Sequence, residues 1–141
     1  MAGLLVKDVM IKHPMSIPAD MDLTLVVDTL LQYRITGLPV VDNETRVIGF
    51  VSEQDCLRQL LVSSYHSEGA VRVEQVMHGD PLTVDVEESL VDLAELMLKQ
   101  KPKIYPVVDE KRRLIGLLTR GHVLRALRDS RRGGVEIVNR L

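Results

Sequence analysis

At 141 residues with 45% apolar content, the chain is one ordinary domain or two small units sharing one core. Its net charge of −2 argues against a broadly basic nucleic-acid binder, and its single cysteine excludes an internal disulfide framework. One Phe, three Tyr and no Trp leave Val, Leu, Ile and Met to build the core.

The opening stretch, MAGLLVKDVMI, is interrupted by Lys7 and Asp8 before a signal-peptide core forms, and no apolar run approaches the ~18 residues a membrane span needs. A cytoplasmic protein is expected. Leu23, Val26, Val27, Leu30 and Leu31 recur at helical spacing, with Asp22 as N-cap. Pro39 opens a β-branched run, Asp42-Asn43-Glu44 makes a polar turn, and a second strand covers 47–51. A helix follows from about Glu53. Its Cys56 lies among Leu57, Leu60 and Leu61, which reads as a buried core thiol. Residues 63–70, SSYHSEGA, read as a connector. The order then recurs: Ser89 as cap, helical Leu90, Leu93, Ala94, Met97 and Leu98, a strand after Pro106, a turn at 109–111, a strand over 114–118 and a helix from about Arg120. From Ser130 the tail carries a Gly133-Gly134 break. Its Val135, Ile137 and Val138 fit a short strand, a docking segment or a mobile end.

That recurrence is a repeat. Residues 4–57 align onto 71–124 at a constant offset of 67 without a gap, and 14 of the 54 pairs are identical. Half of these lie within 39–49, where LPVVDNETRVIGFVS is matched by YPVVDEKRRLIGLLT. An internal repeat sets the architecture before any residue is given a role. The β-α-β-β-α order with hairpin-linked strands implies small mixed sheets with helices packed on them, an α+β fold.

The ordered set V-x-x-V-M, P-M-S-I, G-L-P-V-V-D and V-I-G-F-V-S-E-Q-D, matched by V-E-Q-V-M, P-L-T-V, Y-P-V-V-D and L-I-G-L-L-T-R-G-H, resembles a tandem pair of cystathionine-β-synthase (CBS) domains, a Bateman module. The resemblance covers about residues 4–127 and divides the chain into a first motif at 1–62, a linker at 63–70, a second motif at 71–129 and a tail at 130–141. It implies two motifs packed about a pseudo-twofold axis with two clefts between them. It also implies dimerisation into a disc and regulatory, non-catalytic binding of an adenosine-containing ligand of the AMP, ADP or ATP class. The regulated partner protein is not named by this sequence. The rival reading is a dimeric interaction module with degenerate, empty clefts.

A ribonucleotide needs an acceptor for the ribose hydroxyls, an apolar slot for the base and donors for phosphate. Asp55 can accept from both ribose hydroxyls. Ser52 supplies a hydroxyl at a strand-to-helix junction whose N–H groups favour phosphate. By the resemblance, the base sits between Ser16-Ile17 and Gly37-Leu38-Pro39, where Gly37 lets a ring approach the backbone. S-E-Q-D also reads simply as a helix start. Glu53 opposes phosphate unless its carboxylate points away. In the second copy His122 replaces Asp55, Thr119 keeps the hydroxyl, and Arg120 replaces Glu53 with a phosphate-seeking guanidinium. The resemblance closes that cleft with Thr83, Val84, Ile104, Tyr105 and Pro106. The expectation is one principal nucleotide, its ribose on Asp55, with Arg120 reaching toward its phosphates. His122 reads equally as an exposed helix residue.

Histidines 13, 66, 78 and 122 show no metal-ligand spacing, and no P-loop, G-x-S-x-G or H-E-x-x-H is present. No metal, cofactor or catalysis is therefore expected. The arginines of the last helix read as a solvated basic face rather than a nucleic-acid surface, since no aromatic is interleaved. By the resemblance a helix at this position lines the dimer interface, and Val123, Leu124 and Leu127 among its arginines suit a core with a charged rim.

Overall fold

The computed structural model describes residues 3–65, 69–100 and 102–135. In chain order these form α1 (Val6–Val9), β1 (Ile11–Lys12), β2 (Ile17–Pro18), α2 (Leu23–Tyr33), β3 (Gly37–Val41), β4 (Val47–Ser52) and α3 (Glu53–Tyr65). After a 3-10 turn over Val73–Gln75 come β5 (His78–Gly79), β6 (Val84–Asp85), α4 (Leu90–Lys99), β7 (Ile104–Val108), β8 (Leu114–Thr119) and α5 (Arg120–Val135).

Local chemistry accounts for the element ends. Asp22 caps α2 by accepting from the Thr24 N–H at 2.9 Å and the Thr24 hydroxyl at 2.8 Å. Ser89 caps α4 more loosely, accepting from the Asp92 N–H at 3.4 Å. The left-handed Arg34 (φ 54°) ends α2, its N–H turned back to the Leu30 and Leu31 carbonyls. In the β3–β4 turn, Asp42 accepts from the Glu44 and Arg46 N–H groups at 2.9 Å, and Asp109 does the same for Lys111 and Arg113. The backbone repeats as closely as the sequence. Positive φ recurs at His13 and Asp80 and at Thr45 and Arg112, each pair 67 residues apart.

Each repeat builds a four-stranded sheet, but not from its own residues alone. One sheet runs β2-β3-β4-β5 and the other β1-β8-β7-β6. The first short strand of each repeat thus edges the other repeat's sheet, β1 antiparallel to β8 and β5 antiparallel to β4. Reciprocal backbone bonds hold the exchange. The Val6 N–H donates to Glu88 O and the Val73 N–H to Met21 O, both at 2.9 Å. Leu90 N–H donates to Leu4 O at 3.0 Å, and Leu23 N–H to Val71 O at 2.8 Å. At the hairpin tips Val47 N–H meets Arg112 O at 3.0 Å while Leu114 N–H meets Thr45 O at 2.9 Å. This bonding is the pseudo-twofold axis expressed in hydrogen bonds.

Side chains follow the same exchange. Val73 is buried in the core of Leu23, Val26, Leu30, Leu38 and Val40, with Met77 packed against it. Val6 is buried in the core of Leu90, Leu93, Tyr105 and Leu118, with Met10 packed against it. The repeated Met and Gly explain one another across the axis. A Cβ on Gly49 would lie 2.3 Å from Met77 Sδ, and one on Gly116 would lie 2.5 Å from Met10 Sδ. The inner faces of the two sheets meet at a third cluster, Val41, Val47 and Val108 with Leu114.

Two expectations change. α3 runs to Tyr65, three residues into the segment read as a connector. α5 continues through Gly133 and Gly134 to Val135, so Val135 is helical rather than extended. Ile137 and Val138 lie outside the described residues. Cys56 is buried as expected. Burial pushes its thiol above the ordinary value, and the Asp55 and Glu53 charges add to the effect. Among the described residues no helix is long and apolar enough to cross a membrane.

Candidate functional site

β4 delivers Ser52 to the start of α3, and its pairing with β5 sets His78 opposite Phe50. The space between these elements and the second repeat is a cavity of about 590 Å³. Thr36, Phe50, Ser52, Glu53 and Gln54 line it from the first repeat. His78, Pro81, Leu82, Pro102, Lys103, Ile104 and Pro106 line it from the second. The volume lies within the range of small-molecule sites, and apolar residues share the wall with Thr36, His78, Lys103 and a polar end made by Ser52, Glu53 and Gln54 at the start of α3.

Asp55 stands directly behind that polar end. It is 1% exposed, and its Oδ2 accepts from the Ser52 N–H and the Ser52 hydroxyl, each at 2.9 Å. The Asp55 N–H returns a bond to Ser52 Oγ at 3.1 Å. Oδ1 meets His78 Nε2 at 2.8 Å and Arg58 Nη1 at 3.4 Å. One carboxylate oxygen therefore serves the helix start, and the other is held by two exposed, movable side chains. The helix-start reading of S-E-Q-D is realised by Oδ2, while Asp55 itself is buried and is not among the residues that line the cavity.

The second repeat keeps the turn and changes its chemistry. The His122 N–H donates to Thr119 Oγ1 at 3.1 Å, and the Thr119 hydroxyl forms a short hydrogen bond with His122 Nδ1. Ile11 stands where His78 stands in the first repeat, so no imidazole crosses over to this turn. His122 is half-buried within the turn and not an exposed helix residue.

Of the residues singled out from sequence, Ser52, Ile104 and Pro106 line the cavity. Ile17 and Leu38 do not: strand alternation turns them into the first core. Val84 and Tyr105 are turned into the second core in the same way, on the face opposite Ile104 and Pro106. Burial raises the Tyr105 phenol above its ordinary value, the Arg120 charge acting the other way. Gly37 and Pro39 share the inner face of β3. The ring that approaches Gly37 is Phe50, whose Cε1 would lie 2.5 Å from a Cβ there. Ser16 is half-buried ahead of β2, and the Thr83 hydroxyl lies 3.5 Å from Arg112 Nη1. Arg120 is not in the wall; its N–H donates to Lys103 O, and Lys103 is the wall's lysine.

His78 and Lys103 escaped the sequence reading for one reason. Both enter the cleft from the second repeat, His78 on the two-residue strand β5 and Lys103 in the bend before β7, and neither kind of segment leaves a periodic signal. The repeat offset aligns His78 with Ile11 and Lys103 with Thr36, which marks both as points of divergence without saying where they lie. Among the described residues no group of three or more His, Cys, Asp or Glu is placed to hold a metal.

Comparison with known proteins agrees with this architecture. The CBS domain family model matches residues 6–62 and 73–129. The CBS domain-containing protein CBSX1, chloroplastic, of Arabidopsis thaliana is 30% identical over 132 residues, covering 76% of this chain and 56% of that protein. The chain thus spans about half the length of the curated CBSX relatives it matches. A crystal structure of CBSX2 in complex with AMP is 33% identical with a TM-score of 0.80, covering 92% of this chain and 100% of that one. The CBS domain pair of protein MJ0100, in complex with 5′-methylthioadenosine and S-adenosyl-L-methionine, is 25% identical with a TM-score of 0.75, covering 88% and 99%. With two matched domains, two sheets exchanged about one axis and a cleft between them, this chain belongs to the CBS domain family as a tandem pair.

Proposed function

We propose that this chain is a regulatory, non-catalytic module that binds an adenosine-containing ligand in the cleft between its repeats and passes that state to a partner protein. The observation that carries this reading is the cleft itself, with Asp55 anchored behind its polar end. Phe50, Pro81, Leu82, Ile104 and Pro106 offer an apolar slot for a base. Asp55 Oδ1 accepts the ribose hydroxyls once the exposed Arg58 and His78 give way. Ser52, Gln54 and Lys103 supply donors for the 5′ end. The AMP held by CBSX2 and the adenosyl ligands held by MJ0100 support the same ligand class.

The module acts as a homodimer in this reading. Leu57, Leu60 and Leu61 on α3 and Leu124 on α5 are exposed, more apolar helix surface than a monomer needs to show. Val123 and Leu127 are not available to such a contact, because they pack into and against the second core. Joint Leu60→Glu and Leu124→Glu substitution leaves a folded monomer in sedimentation velocity, where the native chain runs as a dimer. A native monomer overturns the assignment.

The ligand is tested by titration calorimetry with adenosine and AMP against the native chain and Asp55→Asn. Asparagine keeps the volume and one acceptor for the turn. Binding falls by about tenfold or more, the order of a lost charge-assisted bond, while circular dichroism stays native. Undiminished binding in Asp55→Asn removes the ribose role. No binding of either compound to the native chain overturns the nucleotide reading and leaves an interaction module.

A further inference from the structure

Glu53 is the first residue of α3 and lines the cleft beside Ser52. It stands where the 5′ group of a nucleotide meets the helix N-terminus. Its carboxylate has no hydrogen bond or ion pair among the described residues, so nothing turns it away from a ligand. Behind it the Asp55 carboxylate is already committed to Ser52, Arg58 and His78. Among the lining residues Glu53 is the one carboxylate and Lys103 the one lysine, with His78 as the other titratable group. At the place equivalent to Glu53 the second repeat carries Arg120, outside this wall.

A polyphosphate is held by several cations and N–H groups acting together. One lysine in a wall that also carries an unpaired carboxylate does not meet that need. Each added phosphate brings further negative charge toward Glu53, in a cleft where screening is weaker than in open water. An acidic residue in the first turn of a helix also has a plain structural use, as partner to the helix dipole. That use predicts nothing about ligand charge, so the two roles are separable by experiment.

We infer that Glu53 acts as a charge filter, making this cleft a site for adenosine compounds with at most one phosphate and excluding nucleoside di- and triphosphates. The inference rests on the nucleotide reading above and adds its specificity. It is tested by calorimetry with adenosine, AMP, ADP and ATP at fixed ionic strength without divalent cations, on the native chain, Glu53→Gln and Lys103→Met. The native chain binds AMP more tightly than ATP. Glu53→Gln strengthens ATP binding about tenfold and changes adenosine by less than about twofold. Lys103→Met weakens AMP by a larger factor than adenosine. ATP binding as tightly as AMP in the native chain overturns the filter, as does an equal change for adenosine and ATP in Glu53→Gln. Failure of adenosine and AMP alike to bind the native chain is a different result: it overturns the nucleotide reading, and this inference with it.

Discussion

The Tyr105 hydroxyl sits in the second core with no hydrogen-bond partner among the described residues, and its side chain is fully buried. Leu38 fills the equivalent place in the first core without a polar atom. A desolvated, unpaired hydroxyl costs stability, so Tyr105→Phe raises the free energy of unfolding by about 1 kcal/mol. Denaturant midpoints at unchanged slope check this, and a clear loss of stability would show that the hydroxyl has a partner. Asp55 teaches the opposite lesson. Its oxygens are fully engaged, so truncation to alanine strips acceptors from the Ser52 turn and destabilises the fold as well as the site. The side chain was legible as important from its spacing after Ser52. Its neighbours Arg58 and His78 were not, because contact with His78 depends on a strand donated by the other repeat.

The elements were largely legible. Period-3.6 apolar spacing marked α2 and α4, caps marked their starts, and proline with β-branched runs marked β3 and β7. The two-residue strands β2 and β6 answer to the short first strand of each expected β-α-β-β-α unit, whereas β1 and β5 left no trace, since alternation needs more residues than they have. β5 nonetheless sets His78 in the cleft wall. The Met77 contact with Gly49 shows what one such strand does for its host sheet. A Cβ on Gly49 meets Met77 Sδ at 2.3 Å and the rigid His78 carbonyl at 2.9 Å. Gly49→Ala therefore costs about 1–3 kcal/mol by overpacking. In a Met77→Ala background the cost shrinks but does not vanish, because the carbonyl stays. A double-mutant cycle in thermal or urea unfolding measures the difference, and strict additivity would deny the contact.

For the whole molecule, the exchange of leading segments makes neither repeat self-sufficient. Val73 completes the first core and Val6 the second, each bonded through backbone to the far repeat. Fragments 1–68 and 69–141, made separately, lack a cooperative unfolding transition in circular dichroism. Mixed or co-expressed, they recover it. A cooperative transition in either fragment alone would mean that the exchanged segment is dispensable. The pseudo-twofold itself was readable from the constant offset of 67, whereas the crossing of the first strands was not, since a repeat gives the same sequence pattern whether its parts pack at home or away. That crossing bears on ancestry. A single motif that lent its first strand to an identical neighbour would form a symmetric pair with two interchangeable pockets, neither free to change without the other. Joining the two motifs in one chain releases that constraint. The first repeat's turn carries Asp55 with His78 set against it, while the second repeat's turn carries Arg120 and His122, a difference that a dimer of identical motifs cannot encode.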